Sequence, residues 1–248
     1  NPFFVTLSWG PPHAPYETAP EEYRAMYKPE DVSLRPNVPE AKAEAARKWI
    51  AGYYAHCTAL DDCMGDLLKT LDDKGIAENT IVLFFSDHGD MMGSQASAKK
   101  QQPWEESIRV PFLLRWAGKF GGDGQVLDAR IDIPDIMPTV LGLCGIDIPD
   151  TVQGLDFSNY LGGGEDPSDG AALLQCPHPF GQWHRETGGR EYRGLRTDRY
   201  TYVRSLDGPW LLYDNEVDPY QLNNLINDVA HAGLRDDLDA WLQRRLDA

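Results

Sequence analysis

The feature that most constrains this chain is a long run of helical periodicity held between two apolar segments. From Pro39 onward, apolar residues fall at Ile50, Tyr53, Tyr54, Cys57, Leu60, Met64, Leu67, Leu68 and Leu71. That three-four spacing draws one buried stripe along a helix. Gly75, directly after "DDK", is a C-terminal stop. "FFVTLS" at 3–8 precedes the helix and "TIVLFF" at 80–85 follows it; both are short apolar runs that read as buried strands. Strand, long helix and strand make a βαβ unit, whose strands pair in parallel through a right-handed crossover. A third strand is expected at 110–116, "VPFLLRW", and a short helix at 133–144, "IPDIMPTVLGLC", with Pro138 inside it. The expected fold class is α/β, a mostly parallel sheet flanked by helices.

The pattern changes near residue 165. "GGGEDPSDG" at 162–170 is a turn-rich linker. Beyond it "AALLQ" and "WLLYD" are strand-like, and "YRGLRTDRYTYVRS" reads as a hairpin turning at Thr197–Asp198. Leu234, Leu238, Trp241, Leu242 and Leu246 recur at helical spacing within 226–247. Two domains are therefore expected: 1–165, a parallel α/β domain, and 166–248, a small antiparallel sheet closed by a helix.

The 248 residues carry a net charge of −16. A chain this acidic is poorly suited to nucleic acid, which needs Lys/Arg stripes along its phosphates; the charge reads as a solvated surface. No apolar run reaches membrane-spanning length, and no segment has the make-up of a signal peptide. The sequence opens without Met, on "NPFFVTLSWG", which already reads as a core strand, so further sequence is expected upstream. The four cysteines form no CxxC pair, which argues against zinc or thioredoxin-like chemistry. Cys57 and Cys63 are expected to line the core.

In open parallel sheets, ligands bind beyond the carboxyl ends of the strands. After 3–8 the loop presents His13 in "PPHAPY"; after 80–85 come Asp87 and His88 in "SDHGD". If the two strands are neighbours, the three side chains face one crevice. Both Asp87 and His88 can reach one ion only if the chain turns, and Gly89 permits a turn. The same residues also suit plainer roles, Asp87 as a turn former and His13 as a surface residue. Lys99 and Lys100 lie in a polar loop, either a solvated basic turn or a binding element. In "WEESIRVP", Glu105, Glu106 and Arg109 are spaced for a local salt bridge that would fix the loop as scaffold.

Together, "PFFVTLSWGPPHAPY", the helix with "YYAHCTALDDCMGDLLKTLDDKG", "NTIVLFFSDHGDMMG", "KKQQPWEESIRVPFLLRW", "DIPDIMPTVLGLCGI" and the late "YRGLRTDRYTYVR" and "WLLYDNEVDPYQLNNL" resemble the sulfatase family, in the alkaline-phosphatase-like superfamily. The motifs follow the family's order across nearly the whole chain. The resemblance implies an enzyme that hydrolyses a sulfate monoester with a divalent cation: calcium, with magnesium or manganese as alternatives. It implies that Asp87 and His88 are the second pair of metal ligands, that His13 contacts the sulfate ester, and that Lys100 binds a sulfate oxygen; Lys99 matches less well. Such residues suit the chemistry. The transition state gathers negative charge that a cation, a lysine and an imidazole stabilise. Asp oxygens suit calcium and one imidazole is tolerated, and a protonated His13 can assist the leaving oxygen.

The resemblance also implies a formylglycine nucleophile, made from the Cys or Ser of a Cys/Ser-x-Pro-x-Arg motif, and a first pair of aspartate ligands. No Cys or Ser of this sequence has that context, and its Asp-Asp pairs at 61–62, 72–73 and 236–237 fall in helical segments. Both are expected upstream of Asn1, and turnover is not expected from this chain alone. Two rivals remain: a phosphodiester or phosphonate monoester hydrolase of the same superfamily, which "SDHGD" fits equally, and a non-catalytic sulfatase-like remnant. The expected partner is a sulfated small molecule or carbohydrate. Loops 14–38 and 176–191 would shape its pocket, with His178, Trp183, His184 and Arg185 placed to contact a sugar or aryl group, or with Trp183 an ordinary aromatic anchor. A polymer substrate points to a periplasmic or extracellular protein.

Overall fold

The computed structural model describes residues 1–247. Its α-helices are α1 (Glu21–Arg24), α2 (Glu40–Asp73), α3 (Glu105–Ile108), α4 (Ala117–Phe120), α5 (Ile136–Cys144), α6 (Ser158–Leu161) and α7 (Ala232–Asp247). Its strands are β1 (Val82–Phe85), β2 (Phe112–Arg115), β3 (Ala171–Cys176), β4 (Tyr192–Thr197), β5 (Tyr200–Ser205) and β6 (Gly208–Asp214). The residues fall into two compact units. One takes Asn1–Val82, Met91–Ala98 and Leu114–Gly121; the other takes Leu83–Asp90, Lys99–Leu113 and the described residues from Gly122 onward.

The first unit is built on α2. The helix ends where the sequence expects: Gly75 has φ +66°, its N–H bonds Asp72 O at 2.9 Å, and Ile76 N–H bonds Leu71 O at 3.1 Å. These two bonds satisfy the last carbonyls in a Schellman cap. The apolar stripe is covered less than its spacing predicts. The buried residues of α2 are Ala46, Ala51, Ala55 and His56, while Tyr54 and Leu67 are exposed and Cys63 lies on the surface instead of in the core. His56 docks the Pro-rich loop. Thr18 Oγ1–H donates to Pro15 O at 2.8 Å, so the His56 Nε2–H is the donor to Thr18 Oγ1 at 3.3 Å and to Pro15 O at 3.4 Å.

The strand expected at 3–8 does not form. The segment carries no strand pairing, and Phe3, Phe4, Val5 and Leu7 are exposed. An apolar run makes a strand only when a neighbour takes its backbone bonds, and β1 pairs with β2 instead, in a two-stranded sheet. The mostly parallel sheet expected from the βαβ pattern is accordingly not assembled among the described residues. Phe85 and Leu113 on the two short strands are exposed, because no further layer covers them.

In the second unit, β3, β4, β5 and β6 form an antiparallel sheet in sequential order. The hairpin turn falls one residue later than expected, at Asp198–Arg199, with Thr197 inside β4 and its Oγ1 accepting from Tyr200 N at 2.8 Å. Alternate residues serve opposite faces, as the strand period requires. Leu195, Tyr202 and Leu212 pack on Leu238 and Leu242 of α7, while Tyr192, Val203, Leu211 and Tyr213 form a second cluster against Trp104, Trp183 and Trp210. Both faces are thus apolar, and "WLLYD" runs without alternation. The helix α7 starts later than 226; Asp228 accepts from Ala230 N at 3.0 Å and opens a 3-10 turn at Val229–His231 ahead of it. The helix at 133–144 begins as a 3-10 turn, Ile133–Asp135, capped reciprocally by Asp132 and Asp135. Pro138 sits in the first turn of α5, where a missing N–H costs little.

Candidate active site

The site begins where β1 ends. Ser86 Oγ–H donates to His88 O at 2.8 Å, and Gly89 N–H donates to Ser107 O at 2.8 Å. A Cβ on Gly89 would lie 2.0 Å from Glu106 O, so only glycine lets the backbone pass this close. The resulting turn puts Asp87 and His88 on one side, with Asp87 Oδ2 3.7 Å from His88 Nε2. His88 Nδ1 lies 2.7 Å from Gly89 O. A carbonyl only accepts, so Nδ1 carries a proton, and the ring's other nitrogen, Nε2, faces the Asp87 carboxylate. At 3.7 Å this is no hydrogen bond. An imidazole whose Nδ1 donates to a backbone carbonyl presents Nε2 as the nitrogen that can meet a metal ion, the usual form of a metal-ligating histidine. Asp87, with a side chain 84% exposed, can also turn to solvent.

In type, one carboxylate and one imidazole fit a divalent cation; in number they do not complete its shell, since calcium takes six to eight donors. Among the described residues no group of three or more His, Cys, Asp or Glu side chains stands ready to hold a metal ion.

Asp90, which the sequence reading passed over, tethers the lysine loop: its Oδ1 accepts from Lys99 N at 3.0 Å. Lys99 and Gln101 have φ of +67° and +79°, so Lys100 lies between two residues in a conformation that a Cβ disfavours. On the far side of the loop, Gln101 binds Phe180 through both side-chain amide atoms, and its carbonyl accepts from Tyr192 Oη at 2.9 Å. Glu105 takes Arg196 in a two-pronged pair, 2.7 Å to Nε and 3.2 Å to Nη2. Its backbone N–H donates to Gln221 Oε1 at 3.1 Å. The expected local bridge to Arg109 is present but longer, 3.7 Å, from an arginine that is 79% exposed. The stronger partner is 91 residues away in sequence, where no local spacing signals it.

His184 lies in the loop between β3 and β4, half-buried, with its carbonyl accepting from Thr187 N and Gly189 N. Trp183 beside it stacks on Trp210 (6.4 Å, 18°) and meets Tyr192 edge-on at 6.1 Å, so its ring anchors the loop. Arg190 covers Trp210 at 4.4 Å. Burial pushes the Tyr192 phenol and the Cys176 thiol above their usual values, so both stay protonated at neutral pH. His13 belongs to the first unit and is exposed. Its Nδ1 donates to Ala14 O at 2.7 Å, and its loop is the one docked by His56.

Comparison with known proteins gives this arrangement a family. A family model described as sulfatase matches residues 1–146, and one described as N-sulphoglucosamine sulphohydrolase, C-terminal, matches 95–247. The chain is 42% identical over 248 residues to an ulvan-active sulfatase of Formosa agariphila, covering 99% of this chain and 48% of that protein. A Bacteroides fragilis structure described as a sulfatase superposes with a TM-score of 0.81 at 31% identity, over 96% of this chain and 52% of the other. The phosphonate monoester hydrolase of Agrobacterium radiobacter reaches 0.79 at 25% identity, over 93% and 54%. The chain spans about half the length of the curated relatives it matches. With a sulfatase model matching more than half of its residues and a sulfatase 42% identical along nearly all of it, the chain belongs to the sulfatase family of hydrolases.

Proposed function

We propose that the protein containing this sequence hydrolyses a sulfate monoester carried on a carbohydrate. The observation that carries the reading is the placement of Asp87 Oδ2 3.7 Å from His88 Nε2 at the end of β1, in a chain of the sulfatase family. Asp87 and His88 would hold a divalent cation as two of its ligands; calcium suits them, with magnesium or manganese as alternatives. Bound there, the cation would supply positive charge for the sulfate oxygens. Lys100 would take a sulfate oxygen and stabilise the charge that grows in the transition state. For His13 we retain contact with the sulfate ester and, when protonated, assistance to the leaving oxygen, a role argued from its Pro-flanked motif alone. His184 would meet the sugar beside the Trp183 anchor. The nucleophile, a formylglycine by family resemblance, has no Cys/Ser-x-Pro-x-Arg motif here to arise from. We therefore expect no turnover from these residues by themselves.

The sulfated-sugar reading is supported by the description of the model matching 95–247 and by the ulvan-active relative. If the sulfated carbohydrate is a polymer too large to cross a membrane, the reading carries export to the periplasm or exterior with it. No helix among the described residues is long and apolar enough to cross a membrane. For the whole protein we retain a mostly parallel sheet in the domain containing 1–165 and a separate subdomain at 166–248. A phosphonate or phosphodiester hydrolase is the second reading, favoured by the Agrobacterium likeness but at lower identity than the Formosa ulvan-active sulfatase. Assay of the whole protein on an aryl sulfate and on an aryl phosphonate monoester separates them. We expect at least about tenfold higher kcat/KM on the sulfate, more than about 1.4 kcal/mol of transition-state preference. The reverse preference contradicts the reading.

A further inference from the structure

Lys100 has neighbours that hold it from both sides. Asp90 takes the backbone N–H of Lys99, and Gln101 closes a two-bond pairing with a single residue: its Nε2–H donates to Phe180 O at 2.8 Å, and its Oε1 accepts from Phe180 N at 2.9 Å. Tyr192 Oη–H adds a third bond, to the Gln101 carbonyl. Left-handed backbone at Lys99 and Gln101 persists only when the surroundings over-determine it. Gln101 is thus the joint between the lysine loop and the 177–189 loop that carries Trp183 and His184, and all of these residues lie within one compact unit.

We propose that Gln101 is a positioning residue. It fixes the direction of Lys100 through the Phe180 pairing and couples the lysine that takes the sulfate oxygen to the loop that takes the rest of the substrate. The proposal rests on the sulfatase reading, in which Lys100 meets the sulfate. A staple that merely holds the fold would lower the folded fraction, while a positioning residue acts through Lys100 and has nothing to act on once the lysine is gone.

The test is a double-mutant cycle in the whole protein, read as kcat on a small aryl sulfate, with the melting temperature of each variant recorded. Gln101→Glu keeps the size but sets a carboxylate oxygen against Phe180 O. Gln101→Met removes both bonds without adding charge, and is read instead if Gln101→Glu does not fold. Misplacing a catalytic group by about an ångström costs up to about a hundredfold. We expect kcat to fall about ten- to a hundredfold with KM changed less than about twofold, and to fall less than about twofold further in the Lys100→Ala background. Hydrogen exchange at 98–104 and 177–189 should quicken together. Losses that multiply with that of Lys100→Ala, or an unchanged kcat, overturn the positioning role. If Lys100→Ala by itself leaves kcat intact, the sulfate role of Lys100 has failed, and the positioning role falls with it for that separate reason.

Discussion

At the scale of single residues, the site depends on one absent methyl group. Gly89 lets the chain turn against Glu106 O, and the turn is what aims Asp87 and His88 the same way. Gly89→Ala should cost about 1–3 kcal/mol in urea unfolding and weaken the response of His88 to divalent cations; an unchanged midpoint would mean the close approach is not needed. Asp214 gives a pH-dependent check. Hydrogen bonds from the Arg199 guanidinium hold its carboxyl below the usual range. A depressed folded pKa contributes stability that is complete above the unfolded value, near 3.9, and is lost as pH falls through the folded one. Asp214→Asn should therefore flatten the acid side of the stability curve below about pH 4 while also lowering neutral stability. An identical acid limb would contradict it. Asp87, His88 and Gly89 were legible because their chemistry is local: an acid, an imidazole and a turn-permitting residue in succession. Asp90, Gln101 and the Arg196 partner of Glu105 were not, because each acts through a loop or a strand that sequence spacing does not bring near.

At the scale of elements, local patterns held and their boundaries moved. The helix α2 stops at its Gly75 cap, and the late strands form a hairpin and a third antiparallel partner. The hairpin turn shifts by one residue because Thr197 caps Tyr200 N from inside β4. "FFVTLS" fails as a strand for a non-local reason: its pattern is right, but strand identity belongs to a pair. The same logic applies to "WEESIRVP", where the ion pair that matters joins α3 to β4. Glu105 and Arg196 have side chains only 9% and 15% exposed, so removing one charge strands the other. Glu105→Gln should destabilise the second unit by about 3 kcal/mol or more, measured by urea denaturation followed at the tryptophans. A loss below about 1 kcal/mol would show the pair to be dispensable.

At the scale of the whole molecule, the family was legible from several motifs in order, and the sequence match agrees with it. The proposed site residues were read from local motifs and from the resemblance, and the chain spans about half the length of its curated relatives. The net charge of −16 will gather cations loosely over the surface, so metal binding as such proves little. What distinguishes the account is where an ion goes. The direct measurement is paramagnetic broadening of NMR signals while Mn2+ is titrated into the labelled chain. The account predicts that the His88 ring and the backbone of 86–90 broaden first, with a dissociation constant on the order of 10⁻⁴–10⁻³ M, and that Asp87→Asn abolishes this. Broadening that begins instead at acidic helix positions such as Asp61 and Asp62, or that is unchanged in Asp87→Asn, would contradict it.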